Sequence, residues 1–339
     1  MLECWFEEKS SFSILWTIGQ NVEYSLKVWK RWIEIISLMF SPKILVHLGA
    51  SEVPEQFQQE SLLWVKKAVM HGYEVAKTGA KAEDIVSETV SILENSPVSD
   101  AGFGSVFNAD DDHQMDAGIM TGDKRYGAIV SIHNVQNPIK VARLMVDDTK
   151  YSILAGEGAM EFVRKNNIPL LPKEDFTTDY NVYIKKRCED PLDLFITPEH
   201  GTVGCVVRDI YGNIAAGTST GGTPYAPKGR VGDSPFPGCG VWADNEDACC
   251  SCTGYGESIL VELLAAKTAQ RSTRMPPMEA AKESIEAFAK TPKAVAGVIL
   301  ITKDKGEYGL YHNTTHMPFA FLNEDGTVTC GLSVHDLKK

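Results

Sequence analysis

Segments with helical periodicity alternate along the chain with short apolar runs that are typical of buried strands. Apolar residues that recur every three or four positions predict amphipathic helices, and uninterrupted apolar runs bounded by turn residues predict strands covered on both faces. The predicted helices span 24–40, 56–79, 82–95, 137–148, 155–166, 257–271 and 277–290. The predicted strands span 43–48, 126–133, 203–207, 213–217, 248–252, 296–302, 307–312, 318–322 and 328–330.

The order of these elements favours an α+β fold. Residues 172–201 are polar and contain three prolines, and they predict an exposed linker between the two halves of the chain. Strands and helices are grouped on each side of this linker instead of alternating one by one. This grouping predicts sheets packed between helical layers and argues against a doubly wound parallel sheet.

The predicted helix over 24–40 has a wide apolar face that includes Trp29 and Trp32, with charged residues opposite. We expect this face to dock on its own domain or on a sister subunit, and binding to a membrane surface is the alternative. The N-terminus has no basic segment, and its longest apolar run is too short for a signal peptide or a membrane span. We therefore expect a cytoplasmic protein.

Composition narrows the class of protein. Of 339 residues, 43% are hydrophobic and 23% are charged, which is enough apolar material for a sizeable core. The net charge of −12 argues against nucleic acid or an anionic membrane as the main partner. The eight cysteines are sparse and lack the paired C-x₂-C spacing of a zinc site, so we expect reduced, buried thiols and no metal bound by them.

One motif suggests a serine hydrolase. Residues 217–221 read Gly-Thr-Ser-Thr-Gly and match the G-x-S-x-G nucleophile elbow, with Ser219 as the nucleophile. The elbow needs a helix directly after the turn, but Gly221, Gly222 and Pro224 follow, so this interpretation is weak. Three later histidines could complete a triad in the right chain order: His312, His316 and His335.

A second pattern starts at the Gly201–Thr202 bond, where the polar linker ends and a strand begins. Three loops rich in glycine and hydroxyl side chains follow this bond, and one of them places an arginine and an aspartate three residues apart. The loops are Thr218-Ser219-Thr220-Gly221-Gly222, Gly229-Arg230-Val231-Gly232-Asp233-Ser234-Pro235 and Cys252-Thr253-Gly254-Tyr255-Gly256-Glu257.

In order and spacing, these motifs resemble the plant-type asparaginase/isoaspartyl peptidase family of N-terminal nucleophile hydrolases, which are related to glycosylasparaginase. The resemblance runs from about Lys43 to Leu332 and includes Ala101-Gly102-Phe103-Gly104-Ser105 and Met115-Asp116-Ala117. It implies a four-layer αββα sandwich formed by a single domain over 43–339, with residues 1–42 as an extension that has no family counterpart. Gly201 and Glu257 match the asparaginase branch, although a glycosylasparaginase-like amidase remains an alternative.

The resemblance also implies a chemistry. The precursor would cut itself between Gly201 and Thr202 into residues 1–201 (alpha chain) and 202–339 (beta chain). The new α-amine of Thr202, a group whose ordinary pKa is about 7.7–8.0, could act as general base for its own hydroxyl. The enzyme would release L-aspartate from L-asparagine and from isoaspartyl (β-aspartyl) dipeptides through an acyl-enzyme on Thr202.

Substrate recognition would use residues of the later loops. The α-carboxylate of the substrate needs a cation, which Arg230 offers as a planar fork, and its α-ammonium needs an anion, which Asp233 offers. A turn salt bridge is the alternative explanation of this pair. Gly256 would let the backbone approach the ligand.

Further roles are implied only by the family. Thr220 would orient the Thr202 hydroxyl, while Thr253 and the Gly254 amide would form an oxyanion hole. No metal takes part in the chemistry, but the loop from about Leu93 to Gly102 could hold a structural sodium ion. Cleaved protomers would pair as a homodimer, which makes a heterotetramer of the fragments.

The chain departs from the family at two places. Leu48 stands where the family has glycine in the loop after the first strand, and Asp100 stands where the asparaginase branch usually has Asn. An aspartate there could raise the pKa of the Thr202 amine. These changes keep open an uncleaved scaffold that binds without catalysing.

Overall fold

Two β-sheets packed face to face form the centre of the fold. The computed structural model describes residues 41–147, 150–188, 201–291 and 293–338. The described strands are β1 (Lys43–His47), β2 (Met115–Thr121), β3 (Tyr126–Ile132), β4 (Ile153–Ala155), β5 (Val203–Arg208), β6 (Ile214–Thr220), β7 (Val241–Ala243), β8 (Ala248–Gly254), β9 (Ala296–Thr302), β10 (Tyr308–His312), β11 (Phe319–Leu322) and β12 (Val328–Gly331).

The larger sheet has eight strands in the order β12-β11-β1-β5-β6-β2-β3-β4, and the smaller has four in the order β10-β9-β8-β7. Neighbouring strands are antiparallel except for the parallel pair β3–β4. Because β1, β5 and β6 are adjacent and antiparallel, the end of β1, the start of β5 and the end of β6 lie at the same edge of the sheet.

Helices cover the outer faces of both sheets. Those in the described part of the chain are α1 (Glu55–Lys77), α2 (Ala82–Glu94), α3 (Pro138–Asp147), α4 (Gly156–Lys165), α5 (Asp179–Arg187), α6 (Gly256–Glu262), α7 (Leu264–Arg271) and α8 (Pro277–Phe288). A core cluster joins α1–α4 to the larger sheet, and another joins α6–α8 to the smaller sheet. A third cluster fills the space between the sheets. The predicted four-layer αββα sandwich is therefore confirmed.

The uninterrupted apolar runs reflect burial on both faces of a strand. In β9, Val298 and Leu300 belong to the cluster beneath the helices, whereas Ile299 and Ile301 belong to the cluster between the sheets. The cysteines of β8 divide in the same way, and each described cysteine is a free thiol. Alternate side chains of one strand thus meet two apolar layers, so the polar alternation of a half-exposed strand is absent.

The predicted linker over 172–201 is wrong in its first half. Residues Lys173–Phe176 form a 3₁₀ helix and α5 follows, beginning with a capping box in which the side chains of Thr178 and Asn181 each bond the other's backbone N–H. Asn181 also donates to the carbonyl of Ser105. Capping and tertiary contacts specify this helix without a strong apolar stripe, which is why periodicity missed it.

Other differences have local causes. The predicted helix over 257–271 is two helices, because Leu263 adopts a left-handed conformation with φ of 52° and breaks the hydrogen-bond ladder. Strands β2, β4 and β7 carry too few apolar residues or too short a run to be predicted. The helix predicted over 24–40 lies outside the described residues. Within the described ranges, no helix is long and apolar enough to cross a membrane.

We expect Ile129→Ala to destabilise the fold by about 2–5 kcal/mol, because Ile129 is fully buried between the larger sheet and its helices and truncation leaves a cavity. The control Val261→Ala, at a residue 76% exposed, should cost less than about 0.5 kcal/mol. Urea unfolding of both variants measures the difference. Equal midpoints would contradict this assignment of the core.

Candidate functional site

The site forms where strand ends from both sheets meet. At one edge of the larger sheet, β1 ends, β5 begins directly after Thr202, and β6 ends at Thr220, which pairs with Asp116 of β2. The smaller sheet contributes Thr253 near the end of β8, whose Oγ1 accepts a hydrogen bond from the Ala50 N–H at 3.1 Å. Residues far apart in the sequence thus converge at the Gly201–Thr202 bond.

The hydroxyl of Thr220 lies between the Thr202 side chain and the peptide bond before it. Thr202 Oγ1 donates to Thr220 Oγ1 at 3.2 Å, and Thr220 Oγ1 donates to the carbonyl oxygen of Gly201 at 3.1 Å. The Gly222 N–H donates to Thr220 Oγ1 at 3.0 Å and fixes the rotamer. All three threonines, Thr202, Thr220 and Thr253, are buried.

The loop after β1 packs directly on the Gly201–Thr202 bond. Gly49 has φ of 107°, and a Cβ there would lie 3.0 Å from Gly201 Cα and 3.3 Å from Thr202 N. Leu48 does not adopt the left-handed conformation; its side chain is buried in the core and its N–H bonds the Pro318 carbonyl. Gly49 therefore meets the conformational demand of this loop, and Leu48, which stands where the family has glycine, needs no left-handed conformation.

Arg230, Asp233 and Gly256 lie together. A Cβ on Gly256 would fall 2.9 Å from Arg230 Nη2 and 2.9 Å from Asp233 Oδ1, so only glycine leaves space beside both charged groups. Asp233 is buried, and its Oδ2 has no hydrogen-bond partner among the described residues. Burial raises the pKa of Asp233 to about 7 and that of Asp116 to about 6, although Arg230 acts against both shifts.

Asp100 packs against the glycine that precedes Thr202. A Cβ on Gly201 would lie 2.3 Å from Asp100 Cβ, and the Asp100 carboxyl accepts from the Val106 N–H at 3.0 Å. Burial raises the pKa of Asp100 to about 8, against the opposing effects of backbone N–H groups and of Arg230. The carboxyl is therefore mostly neutral near pH 7, which weakens the expectation that it raises the pKa of the Thr202 amine.

A buried hydroxyl chain behind Thr202 was not predicted from the sequence. His47 Nε2 lies 2.8 Å from Ser251 Oγ, which lies 3.0 Å from Thr218 Oγ1, and Thr218 donates to the Gly240 carbonyl. Burial lowers the pKa of His47 to about 3, against a hydrogen bond with the Thr202 backbone, so the ring stays neutral. The signal that could have found it was the run of three polar residues, Thr218, Ser219 and Thr220, that ends the otherwise apolar strand β6.

The nucleophile elbow suggested by Gly-Thr-Ser-Thr-Gly does not form. Ser219 lies within β6, not at a strand-to-helix turn, and its buried hydroxyl donates to Glu94 Oε1 at 2.7 Å. The ring nitrogens of His312 bond Thr314 and the segment around Ser333. The geometry therefore does not support Ser219 as a nucleophile.

The loop between α2 and Gly102 brings backbone carbonyls together. The Ser99 hydroxyl lies within 2.8 Å of the Leu93 carbonyl oxygen, 3.1 Å of that of Ser96 and 3.3 Å of that of Ala101. The loop thus directs three carbonyl oxygens at one hydroxyl, and the sodium ion expected in this loop stays a prediction. In the described part of the chain, no group of three or more His, Cys, Asp or Glu side chains could hold a metal ion.

The four-layer sandwich places the chain in the N-terminal nucleophile hydrolase class of folds. A family model described as asparaginase matches residues 40–332, so the chain belongs to this family of amide hydrolases. An isoaspartyl peptidase/L-asparaginase of Bos taurus is 36% identical, covering 87% of this chain and 97% of the relative. An isoaspartyl peptidase/L-asparaginase of Danio rerio is 35% identical, covering 82% of this chain and 91% of the relative. A plant-type L-asparaginase of Pyrococcus abyssi is 36% identical, covering 83% of this chain and 96% of the relative.

We expect Glu94→Gln to stabilise the protein increasingly as the pH rises. Burial raises the pKa of Glu94 from 4.5 to about 8, against hydrogen bonds from Ser219 and Ile139. Between these values the unfolded chain loses the proton of Glu94 while the folded chain keeps it, so this group costs the wild type stability across that window, and the glutamine variant lacks that loss.

Urea unfolding at pH 4 and pH 9 measures this effect. The advantage of the Glu94→Gln variant should grow by up to roughly 4 kcal/mol between the two conditions. The control is Glu74→Gln, at a side chain 60% exposed and paired with Lys77, which should change stability little at either pH. A pH-independent difference at Glu94 would contradict the prediction.

Proposed function

We propose that the chain is a self-processing threonine amidohydrolase that releases L-aspartate from L-asparagine and from isoaspartyl dipeptides. The observation that carries the proposal is the continuous hydrogen-bond path from Thr202 Oγ1 through Thr220 to the Gly201 carbonyl oxygen. Membership of the asparaginase family and the names of the relatives, isoaspartyl peptidase/L-asparaginase, support the choice of substrates.

Self-cleavage would begin with attack of Thr202 Oγ1 on the Gly201 carbonyl carbon. Charge develops on the carbonyl oxygen, to which the Thr220 hydroxyl already donates at 3.1 Å. Breaking the C–N bond moves the acyl group from nitrogen to oxygen, the departing nitrogen takes up the proton that the hydroxyl lost, and water then hydrolyses the ester. The products are a carboxylate on Gly201 and a free α-amine on Thr202.

Substrate hydrolysis would reuse the same hydroxyl. The α-amine takes the Thr202 proton while Oγ1 attacks the side-chain carbonyl of the substrate. Thr253 Oγ1 accepts from the Ala50 N–H, so its own proton remains available for the oxyanion, together with the Gly254 N–H. Ammonia or an amino acid leaves with the proton, and water releases aspartate from the ester.

The α-amino acid group of the substrate would bind between Arg230 and Asp233, which flank Gly256. The unpartnered Oδ2 of Asp233 is suited to an ammonium, whose charge would hold the carboxyl ionised. A structural sodium ion in the loop from about Leu93 to Gly102 would lie outside the reaction path and stays a prediction. Pairing of cleaved protomers as a homodimer, and a cytoplasmic location, stay predictions.

An uncleaved binding scaffold is the second candidate. The observation in its favour is the carboxyl group of Asp100, which packs on Gly201 and, once ionised above its raised pKa of about 8, would oppose the developing oxyanion. Intact mass spectrometry of the purified wild type separates the two candidates, because the scaffold would remain a single chain of 37.2 kDa.

We expect the wild type to separate into fragments 1–201 and 202–339 under denaturing conditions and the Thr202→Ala variant to remain whole, because alanine lacks the attacking hydroxyl. The Thr202→Ala variant should also hydrolyse neither asparagine nor a β-aspartyl dipeptide. The control Ser219→Ala should still cleave. If Ser219→Ala abolishes hydrolysis while Thr202→Ala retains it, the nucleophile is assigned wrongly.

We expect Thr253→Val to lower kcat for asparagine by about 10²–10³-fold, because the variant removes one oxyanion donor. The cut at residue 201 should still occur. Thr253→Ser should restore most of the rate, since it keeps the hydroxyl. The matched control is Thr268→Val, at a buried threonine in α7 whose hydroxyl has no partner in the described structure. Unchanged kcat in Thr253→Val would remove this residue from the site.

A further inference from the structure

The guanidinium of Arg230 presents two edges that can each bind a carboxylate through two N–H groups. Glu257 occupies one of them: Arg230 Nε donates to Glu257 Oε1 at 2.9 Å, and Nη2 donates to Oε2 at 2.9 Å. This is the fork geometry in which both bonds are parallel and the guanidinium plane is fixed. Arg230, the cation that is predicted to bind the substrate, therefore already has a protein carboxylate on its side edge.

The other edge, between Nη1 and Nη2, faces two glycines. A Cβ on Gly232 would lie 3.0 Å from Nη1 and 3.2 Å from Nη2, and a Cβ on Gly256 would lie 2.9 Å from Nη2. Any side chain at these two positions would block the edge. Among the described residues, Nη1 makes no hydrogen bond. The end edge thus has the space and the donors that a ligand carboxylate needs.

The residues around Arg230 make the orientation of its N–H donors more important for binding a carboxylate than its charge alone. Burial lowers the pKa of the Arg230 guanidinium, but the negative charges of Glu257, Asp233 and Asp116 together raise it. Three acidic groups around one cation leave little net positive charge to attract an anion. A ligand carboxylate must therefore be recognised by aligned N–H donors, which depend on the plane that Glu257 fixes.

We propose that Glu257 is a positioning residue that holds Arg230 by its side edge, so that the α-carboxylate of the substrate binds at the Nη1–Nη2 edge. The proposal rests on the proposed function, since it assigns how that substrate is held. Fixing the guanidinium fixes the separation between the bound α-carboxylate and Thr202. Glu257 thereby selects β-linked aspartyl groups over γ-linked glutamyl groups, which are one methylene longer.

Three variants test the proposal by calorimetry and steady-state kinetics: Glu257→Gln, Arg230→Gln and the double variant. Glutamine keeps the size of Glu257 but loses its charge and one of its two acceptor oxygens. We expect Glu257→Gln to weaken L-aspartate binding and to raise KM for asparagine by about tenfold each, with kcat within about threefold. The preference for asparagine over glutamine in kcat/KM should fall.

The double variant should bind L-aspartate no more weakly than Arg230→Gln alone, because Glu257 acts through Arg230. The matched control is Glu262→Gln on the same helix, whose exposed pair with Lys267 (3.0 Å) lies on the surface and should affect neither constant. Intact mass spectrometry reports whether each variant still cuts after residue 201.

Unchanged aspartate affinity and unchanged KM in Glu257→Gln would overturn the proposal, as would equal losses in the wild-type and Arg230→Gln backgrounds. Tighter aspartate binding in Glu257→Gln would show that the glutamate competes with the ligand, and would also overturn it. Aspartate binding needs no catalysis, so it tests Glu257 even if the wild type neither cleaves nor hydrolyses asparagine, a result that would refute the proposed function alone.

Discussion

The antiparallel pairing of β5 with β1 and β6 is the constraint on which the candidate site depends. Val203 pairs with Ser219 across β5 and β6, which places Thr202 beside Thr220 at the end of the ladder. On the other side of β5, His47 pairs with Gly204 and directs the following loop over the same bond. A one-residue slip in either pairing would turn the side chains to opposite faces and separate the two threonines.

Burial then decides the ionisation of the groups around this edge. The buried carboxyls of Asp100, Asp116 and Asp233 all have raised pKa values, because removal from water penalises the charged form more than Arg230 compensates. For Asp233 the shift is suited to the proposed role, because a ligand ammonium would replace the lost solvation and the carboxyl would ionise as the ligand binds. Before a ligand binds, the raised pKa values thus reduce the number of unpaired charges in the apolar environment of the site.

The sequence predicts the layers better than the interactions within the site. Continuous apolar runs and helical periodicity give most strands and helices, because burial on two faces leaves a one-dimensional pattern. The pairing of Arg230 with Glu257 and the contact of Asp100 with Gly201 depend on where loops meet across the two sheets, so no local spacing reports them. Leu48 shows what comparison of motifs leaves out: it stands where the family has glycine, but the left-handed residue of this loop is Gly49.

Close packing around the scissile bond has a consequence for the cleaved state. Added Cβ atoms on Gly201 and Gly221 would each lie 2.3 Å from an atom of Asp100, so this carboxyl fills the space behind the bond. Under the proposed function, the cut leaves a new carboxylate on Gly201 beside the Asp100 carboxyl. Two acids packed together do not both ionise at low cost, so either one would stay protonated or the chain end would move away. An asparagine at position 100 would impose no such choice, so under the proposed function the fate of the new chain end would depend on pH through Asp100.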